Sequence, residues 1–76
     1  MMHAVQVRMA RAALGISVRE LAERSGVADS TILRFETGKG AILTTNMARI
    51  QNSLEEAGVL FIPADATGGP GVRLKA

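Results

Sequence analysis

A chain of 76 residues with no cysteine and a formal net charge of +2 forms one domain at most, with neither a disulfide nor a thiolate metal site to brace it, so packing or a second copy must supply its stability. No apolar run approaches the roughly 18 residues of a membrane span, and the N-terminus lacks the charged-then-apolar order of a secretory leader, so a cytoplasmic protein is expected. The charge excess lies in residues 1–43, where six Lys/Arg face four Asp/Glu, whereas residues 44–76 hold three of each; that bias favours a polyanion meeting the first half of the chain.

The first predicted helix spans Met1 to Leu14. Val7, Ala10 and Leu14 follow a three-four spacing, Arg8 and Arg11 leave the other side, and Gly15 closes it. His3 stands where a cap would; a lone histidine near a terminus reads as a solvated residue, because metals need several ligands. Ser17 and Glu20 then form an S-x-x-E capping box, with Ser17 Oγ taking one free backbone N–H and Glu20 reaching back to the Ser17 N–H. A second helix should begin at Val18. Leu21 and Ala22 share its inner face with Val18, Arg19, Glu20, Glu23 and Arg24 face outward, and Gly26 ends it. The pattern resumes with Ile32 and Phe35 as apolar anchors, Asp29, Ser30, Thr31 and Arg34 as the polar positions, and Gly38 as the next stop. Two short helices joined through a glycine corner describe a helix-turn-helix.

Gly38-Lys39-Gly40 reads as a flexible corner and Ala41 to Thr44 as a short connection. Thr45 is the expected cap of a last helix with Met47, Ile50, Leu54 and Ala57 as its apolar stripe and Gly58 as its end. Met9 and Met47 read as packing residues rather than ligands. From Val59 the character changes: Val59-Leu60-Phe61-Ile62 is apolar on both alternating faces, Pro63 stops it, and a Gly/Pro-rich stretch leads to Pro70-Gly71, which suits the centre of a type II turn. Val72 and Leu74 alternate with Arg73 and Lys75 as a half-exposed strand. The expected architecture is mainly α: four helices in residues 1–58, then a short β-hairpin in residues 59–76.

Catalysis finds no support. There is no cysteine and one terminal histidine, and the glycine runs at 38–40 and 68–71 lack the strand-then-helix setting of a phosphate loop. The acid pairs Glu20/Glu23 and Glu55/Glu56 sit on solvated helix faces, without a cleft to make them an acid/base pair. No cofactor and no metal are expected. Phe35 and Phe61 are the only aromatics, which leaves a base-stacking platform for single strands or RNA without support.

The run LAERSGV followed by STILRFETG resembles the lambda-repressor/Cro-like, or XRE-type, helix-turn-helix regulators. Matching features are the small Ala22, Gly26, the aliphatic Val27, Thr31-Ile32 and the Glu-x-Gly of residues 36–38. Leu14-Gly15-Ile16-Ser17 and the helix end at 54–58 extend the likeness over most of the chain. Two positions depart: Val18 stands where the family often has Gln, and Ala28 where it often has Ser as the cap of the recognition helix. The first removes a common phosphate and base contact. The second leaves Asp29 either to cap the helix or to accept from a cytosine amino group.

The resemblance implies a transcriptional regulator that reads double-stranded DNA with residues 28–37 in the major groove. Asp29, Ser30, Thr31 and Arg34 are the implied base contacts, with Arg34 bidentate to a guanine. Phosphate contacts are expected from Ser17, Arg19, Thr37, Lys39 and Arg11; for Arg19 and Arg11 the alternative is an ion pair with a neighbouring Glu. A homodimer is expected, joined through Val59, Leu60, Phe61, Ile62, Val72 and Leu74, because one layer of helices covers only one face of the hairpin; the alternative is a monomer whose tail folds back on Met47, Ile50 and Leu54 of its own chain. Such a dimer would present two recognition helices about 34 Å apart to a palindromic operator. The alternative keeps the fold but binds a protein, as an antiactivator or antitoxin-like partner does.

Overall fold

In the computed structural model, which describes residues 2–75, the chain runs as α1 (Ala4–Leu14), α2 (Val18–Ser25), α3 (Asp29–Glu36), α4 (Thr44–Glu56), β1 (Val59–Ile62) and β2 (Gly71–Leu74). The expected start of the first helix at Met1 falls outside the described residues, and the helix opens at Ala4 with His3 exposed at its cap. No helix is long and apolar enough to cross a membrane among the described residues.

Helix ends follow local chemistry with three differences from expectation. Ser17 Oγ accepts from Glu20 N at 3.0 Å, but the Glu20 carboxylate does not return to the Ser17 N–H. It accepts instead from Arg24 Nη2 at 2.8 Å and Nε at 3.2 Å, because a partner one helical turn along competes for the same oxygens. The half that Glu20 leaves unmade appears at α1, where His3 N donates to Gln6 Oε1 at 2.6 Å, while Gln6 N donates to the His3 backbone carbonyl at 2.9 Å. The last helix is capped by Leu43 rather than Thr45: the connection delivers Leu43 extended, and its carbonyl accepts from Met47 N at 2.9 Å.

The core is one cluster to which every helix and β1 contribute. Val7, Ala10, Leu21, Ile32, Ile50, Leu54 and Val59 have no exposed surface, with Met2, Val27 and Met47 buried around them. Helix α1 lies against α3, α4 and β2, while α2 lies against α3 and α4. Of the α4 stripe read from spacing, Met47, Ile50 and Leu54 are buried, while Ala57 is half-buried and stands at the C-cap.

The hairpin is antiparallel, with Val59 opposite Leu74, Leu60 opposite Arg73, Phe61 opposite Val72 and Ile62 opposite Gly71. Its reversal is not at Pro70-Gly71. Gly71 lacks the positive φ that a type II turn requires and opens β2. The chain turns instead at Asp65–Gly68, where Asp65 Oδ1 accepts from Thr67 N at 2.8 Å, Thr67 Oγ1 at 2.7 Å and Gly68 N at 3.1 Å. Asp at the first and Gly at the fourth position of a tight turn is the better signal. Those donors, the Thr67 hydroxyl foremost, hold the Asp65 carboxyl below its ordinary value of 3.8.

The hairpin is tied to α1 by Gln6, which no spacing or motif in the sequence singles out. Gln6 is 2% exposed, and its Nε2 donates to Ile62 O at 3.1 Å and Gly71 O at 2.9 Å, so one amide satisfies a carbonyl on each strand. Gln6→Leu strips these donors and the acceptor for His3 N from a buried site. Loss of about 1–3 kcal/mol is expected, measured as a lowered urea midpoint, with faster amide exchange in residues 59–62 and 71–74 than in α4. Because the lowered Asp65 pKa stabilises the fold only while that carboxyl is ionised, its contribution is present above the unfolded value and is lost as pH falls through the folded one. Measured against the intrinsic exchange rate at each pH, the protection of the Thr67 and Gly68 amides should therefore fall in acid, and Asp65→Asn should remove that pH dependence.

Candidate nucleic-acid interface

The corner between α2 and α3 depends on Gly26, whose φ of 75° is open to glycine and strained for other residues. Its N–H donates to Ala22 O at 2.9 Å, Ser25 Oγ accepts from Val27 N at 3.2 Å, and the side chain of Val27 enters the core. Ala28 then holds the cap position with backbone alone, its carbonyl accepting from Ile32 N at 3.1 Å. Asp29 is thus the first residue of α3 and not its cap. There its carboxylate meets the positive end of the helix without occupying a backbone donor.

At about 100° per residue, Ile32 and Glu36 turn into the protein, Phe35 and Thr31 flank them half-buried, and Asp29, Ser30, Leu33 and Arg34 form the exposed face. Three of the four expected base-reading residues therefore lie together on the open face, and Thr31 sits at its edge. None of the four donates or accepts a side-chain hydrogen bond among the described residues. Arg34 leans over the following loop, close enough to Gly40 that a Cβ there would lie 3.2 Å from Nη2. Leu33, in the middle of this face and 52% exposed, was not singled out by the polar pattern of the helix.

What aims this face is a buried ion pair. Arg11 Nε donates to Glu36 Oε2 at 2.7 Å and Arg11 Nη2 to Oε1 at 2.7 Å, while Nη1 donates to Ile16 O at 3.2 Å. The Glu36 side chain is 2% exposed and that of Arg11 22%. Hydrogen bonding to Glu36 keeps the Arg11 pKa above its already high ordinary value. Arg11 thereby leaves the expected phosphate set: all three of its guanidinium nitrogens are engaged inside the protein, joining α1, the turn before α2 and the end of α3.

The other expected phosphate ligands divide. Ser17, Arg19 and Lys39 are exposed; Ser17 Oγ uses only a lone pair toward Glu20 N, and neither Arg19 nor Lys39 forms an ion pair among the described residues. The Arg19–Glu23 pair weighed from spacing does not form. Thr37 is turned inward on its own helix, its Oγ1 donating to Leu33 O at 2.8 Å and its N–H to the same carbonyl at 3.0 Å. It has no donor left for a phosphate without rotating.

The expected dimer residues also divide. Val59 is fully buried in its own core, with Phe61 and Val72 packed against that core. Three of the six are thus taken by their own chain, because the hairpin face they share is the one laid on the helices. Leu60 (43% exposed) and Ile62 (39%) point away from it, and Leu74 is half-exposed at the end of the inner face.

This arrangement, a short helix crossing onto a second whose outer face is free, is that of a DNA-binding helix-turn-helix regulator. The profile of the HTH_3 family, described as Helix-turn-helix, matches residues 7–56, and the chain belongs to that family, the lambda-repressor-like or XRE type. The match runs from the middle of α1 to the end of α4 and leaves the first turn of α1 and the hairpin outside. No curated protein matches the chain.

Arg11→Met is expected to destabilise the fold by about 3–5 kcal/mol, since it strands a buried carboxylate. Arg11→Met with Glu36→Leu should recover most of the loss in urea unfolding. Recovery of stability without recovery of DNA binding would identify the pair as what sets the angle of α3.

Proposed function

We propose that the chain binds double-stranded DNA sequence-specifically as a transcriptional repressor, with α3 in the major groove. The observation that supports this best is the free outer face of α3 beside the N-terminus of α2. Asp29 and Ser30 stand without side-chain partners in one concavity with Ser17 and the unpaired Arg19, while Arg34 leans over the loop that carries Lys39. A helix N-terminus with its first N–H groups free is an anion site, and cations on either side of a reading helix hold it in register on the backbone. Arg34 reads a guanine, Ser30 reads either base type, and Asp29 accepts from a cytosine amino group.

The working species in this proposal is a cytoplasmic homodimer on a palindromic operator. Leu60 and Ile62 form the apolar centre of the outer hairpin face, a surface that a two-stranded sheet with open edges gains by covering. A two-fold axis through it would pair two recognition helices with two half-sites.

Selection of bound sites from random duplexes tests the proposal, together with a gel shift on DNA upstream of the protein's own gene. Arg34→Ala should lose about 1–3 kcal/mol of discrimination at one base pair, while Arg19→Ala and Lys39→Ala should weaken all sites alike and each lower the salt slope by about one. Equal loss on every sequence would move Arg34 to the phosphate set. Affinity that is flat between low and physiological salt would overturn the backbone contacts. Leu60→Lys with Ile62→Lys should give a folded monomer by light scattering; a dimer that survives it would rule out this face.

A further inference from the structure

On the strength of that reading, we infer that Leu33, supported by Val18, reads the C5-methyl group of a thymine, and that this apolar contact sets the chain's preference at one base pair of each half-site. Leu33 is 52% exposed and lies between Asp29 and Ser30 on one side and Thr37 on the other, at the middle of the free face of α3. With Ser17, Val18, Arg19, Asp29 and Ser30 it lines a shallow concavity between the start of α2 and the start of α3. Val18 is half-buried and packed on the core, so it gives the floor of that concavity a fixed apolar wall.

The size and rim of the patch decide its occupant. One leucine and the edge of one valine, ringed by Ser17, Arg19, Asp29 and Ser30, are far short of the roughly 800 Å² that a stable protein partner covers on each side. They match the one apolar group that a base pair shows in the major groove, the thymine methyl. Arg19 and Ser17 on the rim suit the phosphate that flanks such a base. The same geometry accounts for Val18 at a position where a polar residue would donate a hydrogen bond: beside Leu33 it extends an apolar surface instead.

Deoxyuridine, which differs from thymidine by that methyl alone, isolates the contact. Each thymine of a selected binding site is replaced in turn, and the full-length chain is titrated against each duplex. At one position per half-site the wild type should lose about fourfold in affinity, the weight of one buried methyl group. Leu33→Ala should bind the parent duplex several-fold more weakly and no longer distinguish thymine from uracil there; Val18→Ala should show a smaller version of the same loss. Because Leu33 is exposed, circular dichroism and the urea midpoint of Leu33→Ala should be unchanged, which separates its loss of binding from a loss of fold. If no replacement matters to the wild type, or if Leu33→Ala keeps the wild-type ratio, the inference is overturned, and the DNA-reading function still stands if Arg34→Ala shifts base preference. Absence of duplex binding by the wild type would overturn both.

Discussion

The ion pair between Arg11 and Glu36 is the constraint on which the remaining geometry depends. Burying a carboxylate is costly, and a hydrophobic pair of the same volume often serves stability as well or better. What the pair supplies is direction. Two parallel N–H···O bonds fix both the separation and the mutual orientation of the groups they join, so α3 cannot roll about its axis without breaking one of them. The third donor, to Ile16 O, pins the turn that carries Ser17. One guanidinium thus holds in relative place the two elements, the α2 start and the α3 face, that a duplex would meet together.

Helix α1 is the frame for both ends of the molecule. Through Arg11 it orients α3, and through Gln6 it grips the two strands of the hairpin. The core fills the space between, with Val7 and Ala10 of the same helix in one buried cluster with Leu21, Ile32 and Leu54. Polar groups inside so small a domain are tolerated because each is matched: no buried side-chain nitrogen or oxygen lacks a hydrogen bond among the described residues. The apolar interior gives cohesion and the two polar contacts give it a particular shape.

Most of the fold was legible because its signals are local. Gly15 and Gly26 end helices, Ser17 starts one, and the spacing of Met47, Ile50 and Leu54 names the buried side of α4. The strand pair was legible from Val59–Ile62 and Val72–Leu74. What escaped were effects that need a partner distant in sequence. Gln6 looks like an ordinary surface amide until Ile62 and Gly71, more than fifty residues on, arrive beside it. Glu36 reads as part of a motif, and only packing shows that its counter-ion is Arg11. Alternation tells the two hairpin faces apart without saying which one the chain covers itself, and Val59, Phe61 and Val72 turn inward. The hairpin turn is hard to place for a different reason: Pro70-Gly71 is the more conspicuous signal, yet the Asp and Gly of residues 65–68 make the turn.

The free face of α3 has an evolutionary consequence. The side chains of Asp29, Ser30, Leu33 and Arg34 make no hydrogen bond among the described residues, and Ile32, Phe35 and Glu36 do the packing from the other side of the same two turns. Substitutions at such insulated positions act on stability nearly independently of those in the core. A lineage carrying this scaffold is therefore free to drift in what it recognises, one outward side chain at a time, while selection on folding keeps watch over a separate set of residues only a hundred degrees around the helix.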